Sequence, residues 1–140
     1  MVHKGDSMDK YINGLKLQQV LNKIGKYIYK HIDGAYKIQF SSNQCDVWFN
    51  VYYQPKYYDR IPGKGEQYND VKTMPINLNL ATYQDKIRVN VIDGSGYGKT
   101  LGHFVLKDTD LSSFQAARDV IYDTTIRIIV KNYKDTDFIF

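Results

Sequence analysis

Few side chains in this sequence are suited to nucleophilic or metal chemistry: one cysteine, Cys45, and three histidines, His3, His31 and His103. Their spacing matches none of the usual zinc-ligand patterns, so we expect no metal site. A cysteine nucleophile also needs a base and a third group that orients the base, and the sequence nominates no such group for Cys45. We therefore expect no catalytic residues, no cofactor and no enzymatic activity.

The segment from Val91 to Thr100, VIDGSGYGKT, is similar to a nucleotide-binding P-loop, since an apolar strand leads into glycines and a Gly-Lys-Thr triplet. The full motif requires a glycine where this sequence has Asp93. It must also open a helix whose N-terminus holds the phosphates, whereas residues 101–106, LGHFVL, predict a strand. We interpret the segment as a hairpin connection in which Lys99 is available to contact a phosphate without hydrolysis.

Length and composition are those of one soluble globular domain, with 140 residues, 43% of them hydrophobic and 24% charged. The net charge of +4 is compatible with a polyanionic partner but does not require one. No apolar run approaches the roughly 20 residues that span a bilayer, and residues 1–7 contain no secretory signal. A single cysteine forms no internal disulfide, so we expect a cytoplasmic protein that does not contact membranes.

The hydrophobic pattern predicts an α+β fold, with a flexible tail at 1–13 and a single domain over 14–140. Helical spacing from Leu17 to Ile32 predicts an N-terminal helix that ends at Asp33-Gly34. Alternation predicts an antiparallel sheet of about five strands, with a long loop at 54–75 between the second and third strands. Helical spacing from Leu111 predicts a C-terminal helix packed on one face of the sheet. Its second half, residues 124–130, is rich in β-branched residues and is also compatible with a strand.

The strand positions that alternation assigns to the face away from the helices carry cations, amides and aromatic rings, and we identify no carboxylate among them. These positions are Lys37, Gln39, Trp48, Asn50, Tyr52, Asn77, Asn79, Lys86, Arg88 and Asn90. Surfaces of this composition bind single-stranded nucleic acid, because bases stack on aromatic rings while lysine and arginine pair with phosphates. Polar residues are also ordinary on the solvent side of a sheet. The alternative interpretation is therefore that this face is simply exposed to solvent and binds no ligand.

From Ile76 to about Val130 the predicted order is three strands followed by a helix. KIRVNVIDGSGYGKTLGHFVL followed by DLSSFQAARDVI is similar in rhythm to the last hairpin and helix of the Whirly, Pur and transcriptional-coactivator single-strand binders. This resemblance implies a single-stranded nucleic-acid ligand. The N-terminal helix and the long loop depart from the pattern of those families.

Tyrosine accounts for 13 of the 140 residues, and six tyrosines lie with Trp48 between residues 36 and 68. Within the loop, Tyr57, Tyr58 and Arg60 combine rings with a cation, a composition that favours contacts with proteins or nucleotides. Part of the tyrosine excess has a second explanation. The 15 lysines against 4 arginines indicate an AT-rich genome, whose codon bias also favours tyrosine.

We expect a non-enzymatic binding protein for single-stranded nucleic acid or a nucleotide. Its predicted ligand contacts are Lys37, Trp48, Tyr52, Tyr57, Tyr58, Arg60, Lys86, Arg88, Asn90 and Lys99. The alternative is a protein-interaction module, such as a small inhibitor or adaptor of the mobile-element or phage type, that binds a protein partner through the tyrosine-rich loop 54–68. A homodimer is compatible with both, because the apolar residues 137–140 must be held by the same chain or by a neighbour.

Overall fold

The computed structural model describes residues 15–55, 71–95, 98–134 and 136–139. They form the predicted α+β fold. The elements are helix α1 (Leu17–His31), strands β1 (Ala35–Ser41), β2 (Gln44–Pro55), β3 (Lys72–Tyr83), β4 (Lys86–Asp93) and β5 (Thr100–Val105), a 3-10 helix (Asp108–Ser112), helix α2 (Phe114–Asn132) and strand β6 (Thr136–Ile139).

The sheet is a meander in which strand order in space follows strand order in the chain, β1-β2-β3-β4-β5. All of its strand pairs are antiparallel. The short strand β6 pairs with residues 52–55 of β2, beyond the part of β2 that pairs with β1. Tight turns join β1 to β2 and β3 to β4, and the second turn places Gln84 and Asp85 at positive φ, the geometry that matches the twist of a hairpin.

Both helices pack on the same face of the sheet, and the hydrophobic core lies between the helices and this face. The stripe of α1 buries Val20, Leu21, Ile24 and Ile28 as the sequence predicts. Gly25 brings this helix close to the sheet, since a Cβ at that position would overlap the Cys45 sulfur. None of the helices in the described part of the chain combines the length and the apolar content needed to cross a membrane.

The C-terminal helix continues through residues 124–130, so the strand alternative for this segment is wrong. Thr125 and Ile129 are both buried, and they lie on the same side of α2 as Ala117 and Ile121. Burial of this stripe outweighs the weak strand preference of the β-branched residues. The helix is capped by Ser113, whose Oγ accepts from the Ala116 N–H at 3.0 Å, and the 3-10 helix precedes this cap.

The predicted loop 54–75 is too long at both ends. Strand β2 continues to Pro55 and β3 begins at Lys72, with Tyr53 paired to Lys72 and Asn50 to Pro75. Pro75 is accommodated where β4 ends, and its carbonyl accepts from the Gly94 N–H at 2.8 Å. The remaining loop residues 56–70, like the predicted tail 1–13, lie outside the described residues. Strand β6 is an element that the sequence analysis missed.

Candidate ligand-binding face

The face of the sheet opposite the helices, which we call the open face, carries most of the predicted ligand contacts. Alternation along β3 buries Met74, Ile76, Leu78 and Leu80 against the helices and leaves the residues between them on the other side. The open face comprises Lys37, Gln39, Asp46, Trp48, Asn50, Tyr52, Asn77, Asn79, Tyr83, Lys86, Arg88, Asn90, His103 and Val105. In the described part of the chain, neither helix covers this face.

A row of five polar residues crosses the open face from one edge to the other. Register places Gln39, Asp46, Asn79, Asn90 and His103 opposite one another on β1 to β5. The Asn79 side-chain amide donates to the Asp46 carboxylate at 2.8 Å, and the Asn90 amide donates to the Asn79 oxygen at 3.0 Å. The two amides are therefore held in fixed orientations by their neighbours. A row of oriented amides can present donors and acceptors to the edge of a planar ligand.

The prediction of a carboxylate-free face is wrong, because Asp46 lies near its middle. Asp46 is half-buried and accepts a hydrogen bond from Asn79. Counting back by two from Trp48 would have identified it. The cations Lys37, Lys86 and Arg88 still outnumber this carboxylate, so the open face remains positive.

The row next to Asp46 contains the only tryptophan in the chain. Trp48 is paired with Lys37 on β1 and Asn77 on β3, and the Lys37 Nζ lies 4.5 Å from the centroid of the Trp48 ring. This cation–π contact fixes a positive charge beside a stacking surface. Tyr52 follows four residues later on the same strand and face. Asn77 Oδ1 is buried without a hydrogen-bond partner among the described residues.

A second aromatic and cationic group lies at the β3–β4 turn. The Arg88 guanidinium carbon is 5.7 Å from the centroid of the Tyr83 ring, and Lys86 is paired with Tyr83 across the turn. A groove of about 760 Å³ opens beside them, lined by Tyr83, Gln84, Lys86, Val105, Leu106, Lys107, Asp108 and Thr109. Sequence reasoning missed Tyr83, although it continues the open-face alternation of β3. It also missed Lys107, which lies in the segment after β5 and lines the groove.

The fold brings together six of the predicted contacts: Lys37, Trp48, Tyr52, Lys86, Arg88 and Asn90. Lys99 is not among them. It lies in the connection between β4 and β5, where its charge helps to lower the pKa of Asp93. Tyr57, Tyr58 and Arg60 lie outside the described residues.

The P-loop-like segment is a connection within the sheet. Thr100–Val105 is a strand, as the sequence predicts, so no helix opens after the glycines. Burial favours the neutral form of Asp93, but hydrogen bonds from the Ser95 hydroxyl, from Tyr133 and from the Ser95 N–H outweigh it and lower the Asp93 pKa. The Tyr133 hydroxyl donates at 2.6 Å. Burial and this contact raise the pKa of Tyr133. Asp93 thus ties the connection to the end of α2.

Cys45, His31 and His103 lie on three different elements, β2, α1 and β5. Cys45 is fully buried beneath α1, and burial, with a smaller contribution from Asp46, raises the pKa of its thiol to about 12. A thiol with this pKa stays protonated at neutral pH and is a poor nucleophile. His31 ends α1, where its carbonyl accepts from Arg118 at 3.0 Å. Among the described residues, no group of three or more His, Cys, Asp and Glu side chains could hold a metal ion.

Comparisons of the chain with protein-family models, with curated proteins and with solved structures find no match. The function must therefore be inferred from the geometry and chemistry of the open face itself.

Proposed function

We propose that the protein binds single-stranded nucleic acid on the open face of its sheet, without catalysis. The observation that supports this proposal is the presence of two aromatic and cationic groups, Lys37 with Trp48 and Arg88 with Tyr83, on one face that neither helix covers in the described part of the chain. Each group offers a ring for a base and a positive charge for a phosphate. Single strands expose both of these chemical features, whereas the bases of a duplex are stacked inside it.

The polar row between the two groups supports the same ligand. Asn79 and Asn90 are oriented by their mutual hydrogen bond, and His103 continues the row at the β5 edge. An amide that is already oriented pairs with a base edge at a lower entropy cost than a flexible side chain does. We expect modest base preference from this row and most of the affinity from stacking and charge.

Three cations on the face, Lys37, Lys86 and Arg88, set the expected dependence on salt. Each neutralised phosphate releases condensed counterions, so the logarithm of the association constant should fall with the logarithm of salt concentration, with a slope of about −2 for three contacts on a single strand.

Fluorescence anisotropy of labelled single- and double-stranded oligonucleotides, titrated at two or more salt concentrations, tests the proposal. We expect preference for the single strand, a negative salt slope, and quenching of the fluorescence of Trp48 on binding. Lys86→Gln with Arg88→Gln should weaken binding and flatten the slope.

The matched control is Lys23→Gln with Lys30→Gln, which removes the same net charge from the exposed side of α1. If both double variants weaken binding equally, attraction is due to overall charge and the open face is not the site. Absence of single-strand binding at low salt would contradict the proposal. The predicted protein partner of residues 54–68 would then be the next candidate.

A further inference from the structure

Asp46 gives the polar row of the open face a fixed direction. A carboxylate accepts hydrogen bonds and cannot donate them, so the Asn79 side chain turns its NH2 group toward Asp46, at 2.8 Å. The Asn79 oxygen is then left for Asn90, whose NH2 group donates to it at 3.0 Å. Both amides therefore donate in the direction of Asp46, and this one carboxylate determines how each of them is oriented.

These hydrogen bonds use most of the N–H groups in the middle of the row. The NH2 group of Asn79 donates to Asp46 and also to the Gln44 Oε1, which lies at 3.3 Å. Asn90 uses one of its two N–H groups for Asn79. In the described part of the chain, the amides of Asn79 and Asn90 thus keep one N–H group for a ligand, on Asn90.

The side-chain oxygen atoms of the same residues can accept further hydrogen bonds. A carboxylate has about four acceptor positions and an amide oxygen has two. Among the side chains that the structure describes, Asp46 and Asn79 accept one hydrogen bond each and Asn90 accepts none. We call Asp46, Asn79 and Asn90 the acceptor strip, because together they offer a ligand several acceptors and a single donor.

The acceptor strip lies beside a stacking surface. Its three residues are half-buried, so a ligand can reach part of each side chain. Trp48 follows Asp46 by two residues on the same face of β2, a distance of about 7 Å along the strand. A base that stacks on the Trp48 ring can therefore extend its hydrogen-bonding edge to Asp46 and Asn79.

We propose that the acceptor strip selects bases that carry an exocyclic amino group and discriminates against thymine and uracil. This inference rests on the proposed binding of single strands to the open face. The amino groups of adenine, cytosine and guanine are donors, whereas thymine carries a carbonyl acceptor where cytosine carries its amino group. A carbonyl of the base that faces the oxygen atoms of the strip makes no hydrogen bond, and leaving polar groups unpaired on binding costs affinity. Asp46 is thus a positioning residue for the two amides.

Oligodeoxycytidine and oligodeoxyuridine of equal length are the matched probes for this inference. Their bases are pyrimidines of the same size, and they differ in the amino group of cytosine and the carbonyl of uracil. Fluorescence anisotropy with the full chain at one salt concentration measures both affinities. We expect the cytosine strand to bind about two- to tenfold more tightly, the difference that one hydrogen bond makes.

Asp46→Asn should bring the two affinities together. An amide at this position can donate as well as accept, so Asn79 and Asn90 can turn over and offer an N–H group to uracil. The uracil strand should bind more tightly than it binds to the wild type, because the substitution also removes a negative charge from the face. A purely structural role of Asp46 would instead weaken both strands equally.

Gln44→Ala is a second, milder variant at an exposed position. It frees one N–H group of Asn79 and leaves the contact with Asp46, so it should reduce the preference for cytosine without abolishing it. The control is Asp123→Asn, which removes the same charge as Asp46→Asn from an exposed position of α2. This control should retain the wild-type ratio of affinities. Circular dichroism of each variant checks that the fold is retained.

The outcomes separate this inference from the proposed function. Equal binding of the two strands by the wild-type chain, with the expected dependence on salt, would overturn base selection and leave single-strand binding in place. Tighter binding of the uracil strand, or a preference that neither Asp46→Asn nor Gln44→Ala reduces, would also overturn it. Absence of binding to either strand at low salt would overturn the proposed function and base selection together.

Discussion

The two faces of one sheet illustrate different uses of the same strands. On β3, Leu78 is fully buried against the helices, while the adjacent Asn77 lies on the open face. On β2, Cys45, Val47 and Phe49 are buried, while Asp46 and Trp48 lie between them. Residues one position apart in the chain therefore differ in what they contribute. The helix-covered face supplies stability through apolar burial, and the open face supplies chemical groups that solvent or a ligand can contact.

The largest expected effect is a difference in the free energy of unfolding between substitutions on the two faces of the sheet. Leu78→Ala should lower the free energy of unfolding by about 2–5 kcal/mol, because it removes buried methyl groups and leaves a cavity. Asn77→Ala, one residue away, should change it far less, because truncating the half-buried Asn77 side chain removes no apolar group and its Oδ1 accepts no hydrogen bond from the described residues. Urea unfolding followed by circular dichroism measures both. Equal losses would show that the open face is also part of the core.

The close packing of α1 on the sheet predicts a second, smaller effect. Gly25→Ala should destabilise the fold by about 1–3 kcal/mol, since the added methyl group would overlap the Cys45 sulfur and the core cannot expand freely. In a Cys45→Ala background the same substitution should cost less, because the sulfur is gone and alanine favours the helix. A double-mutant cycle of unfolding free energies measures this coupling. Additive losses would show that the glycine is required for another reason.

Two tyrosines of equal exposure test whether the open face is the binding surface. Tyr52 on the open face and Tyr29 on α1 are each 37% exposed. Tyr52→Ala should weaken single-strand binding by about 1 kcal/mol or more through lost stacking, whereas Tyr29→Ala should leave affinity unchanged. Anisotropy titrations compare the two variants at one salt concentration. If Tyr29→Ala has the larger effect, the ligand lies on the helix-covered side.

The smallest expected effect concerns pH and belongs to the helix-covered side. The pKa of Asp93 is lowered from its ordinary value of 3.8, so ionised Asp93 favours the folded state. This stabilisation is present above the unfolded-state pKa of 3.8 and is lost as pH falls through the lowered pKa. The melting temperature of the wild type should therefore exceed that of Asp93→Asn at neutral pH, and the difference should shrink below pH 4. A difference that does not change with pH would contradict an ionic contribution.

The sequence predicted both faces because alternation reports directly on burial in an antiparallel sheet. Ile76, Leu78 and Leu80 face the helices, and Asn77 and Asn79 face away, as their spacing indicates. The same rule would have placed Asp46 and Tyr83 on the open face had it been extended to the ends of the strands.

Other features depend on distant parts of the chain and could not be read from local patterns. Strand β6 has only four residues, and its pairing with β2 depends on an edge that β1 leaves uncovered. The helical state of residues 124–130 depends on burial of Thr125 and Ile129 against the sheet. Lys107 joins the groove because the chain after β5 folds back beside the β3–β4 turn.

The meander order of the sheet has a consequence for how fast the protein folds. Each strand from β1 to β5 pairs with its neighbour in the chain, so loop-closure entropy is small for the β1–β2 and β3–β4 hairpins. Proteins whose contacts are local in sequence fold faster than those with distant pairings. The link between β2 and β3 is longer, and a longer loop raises the entropy cost of closure. We expect the two hairpins to form first and the β2–β3 pairing, at the centre of the sheet, to complete the fold.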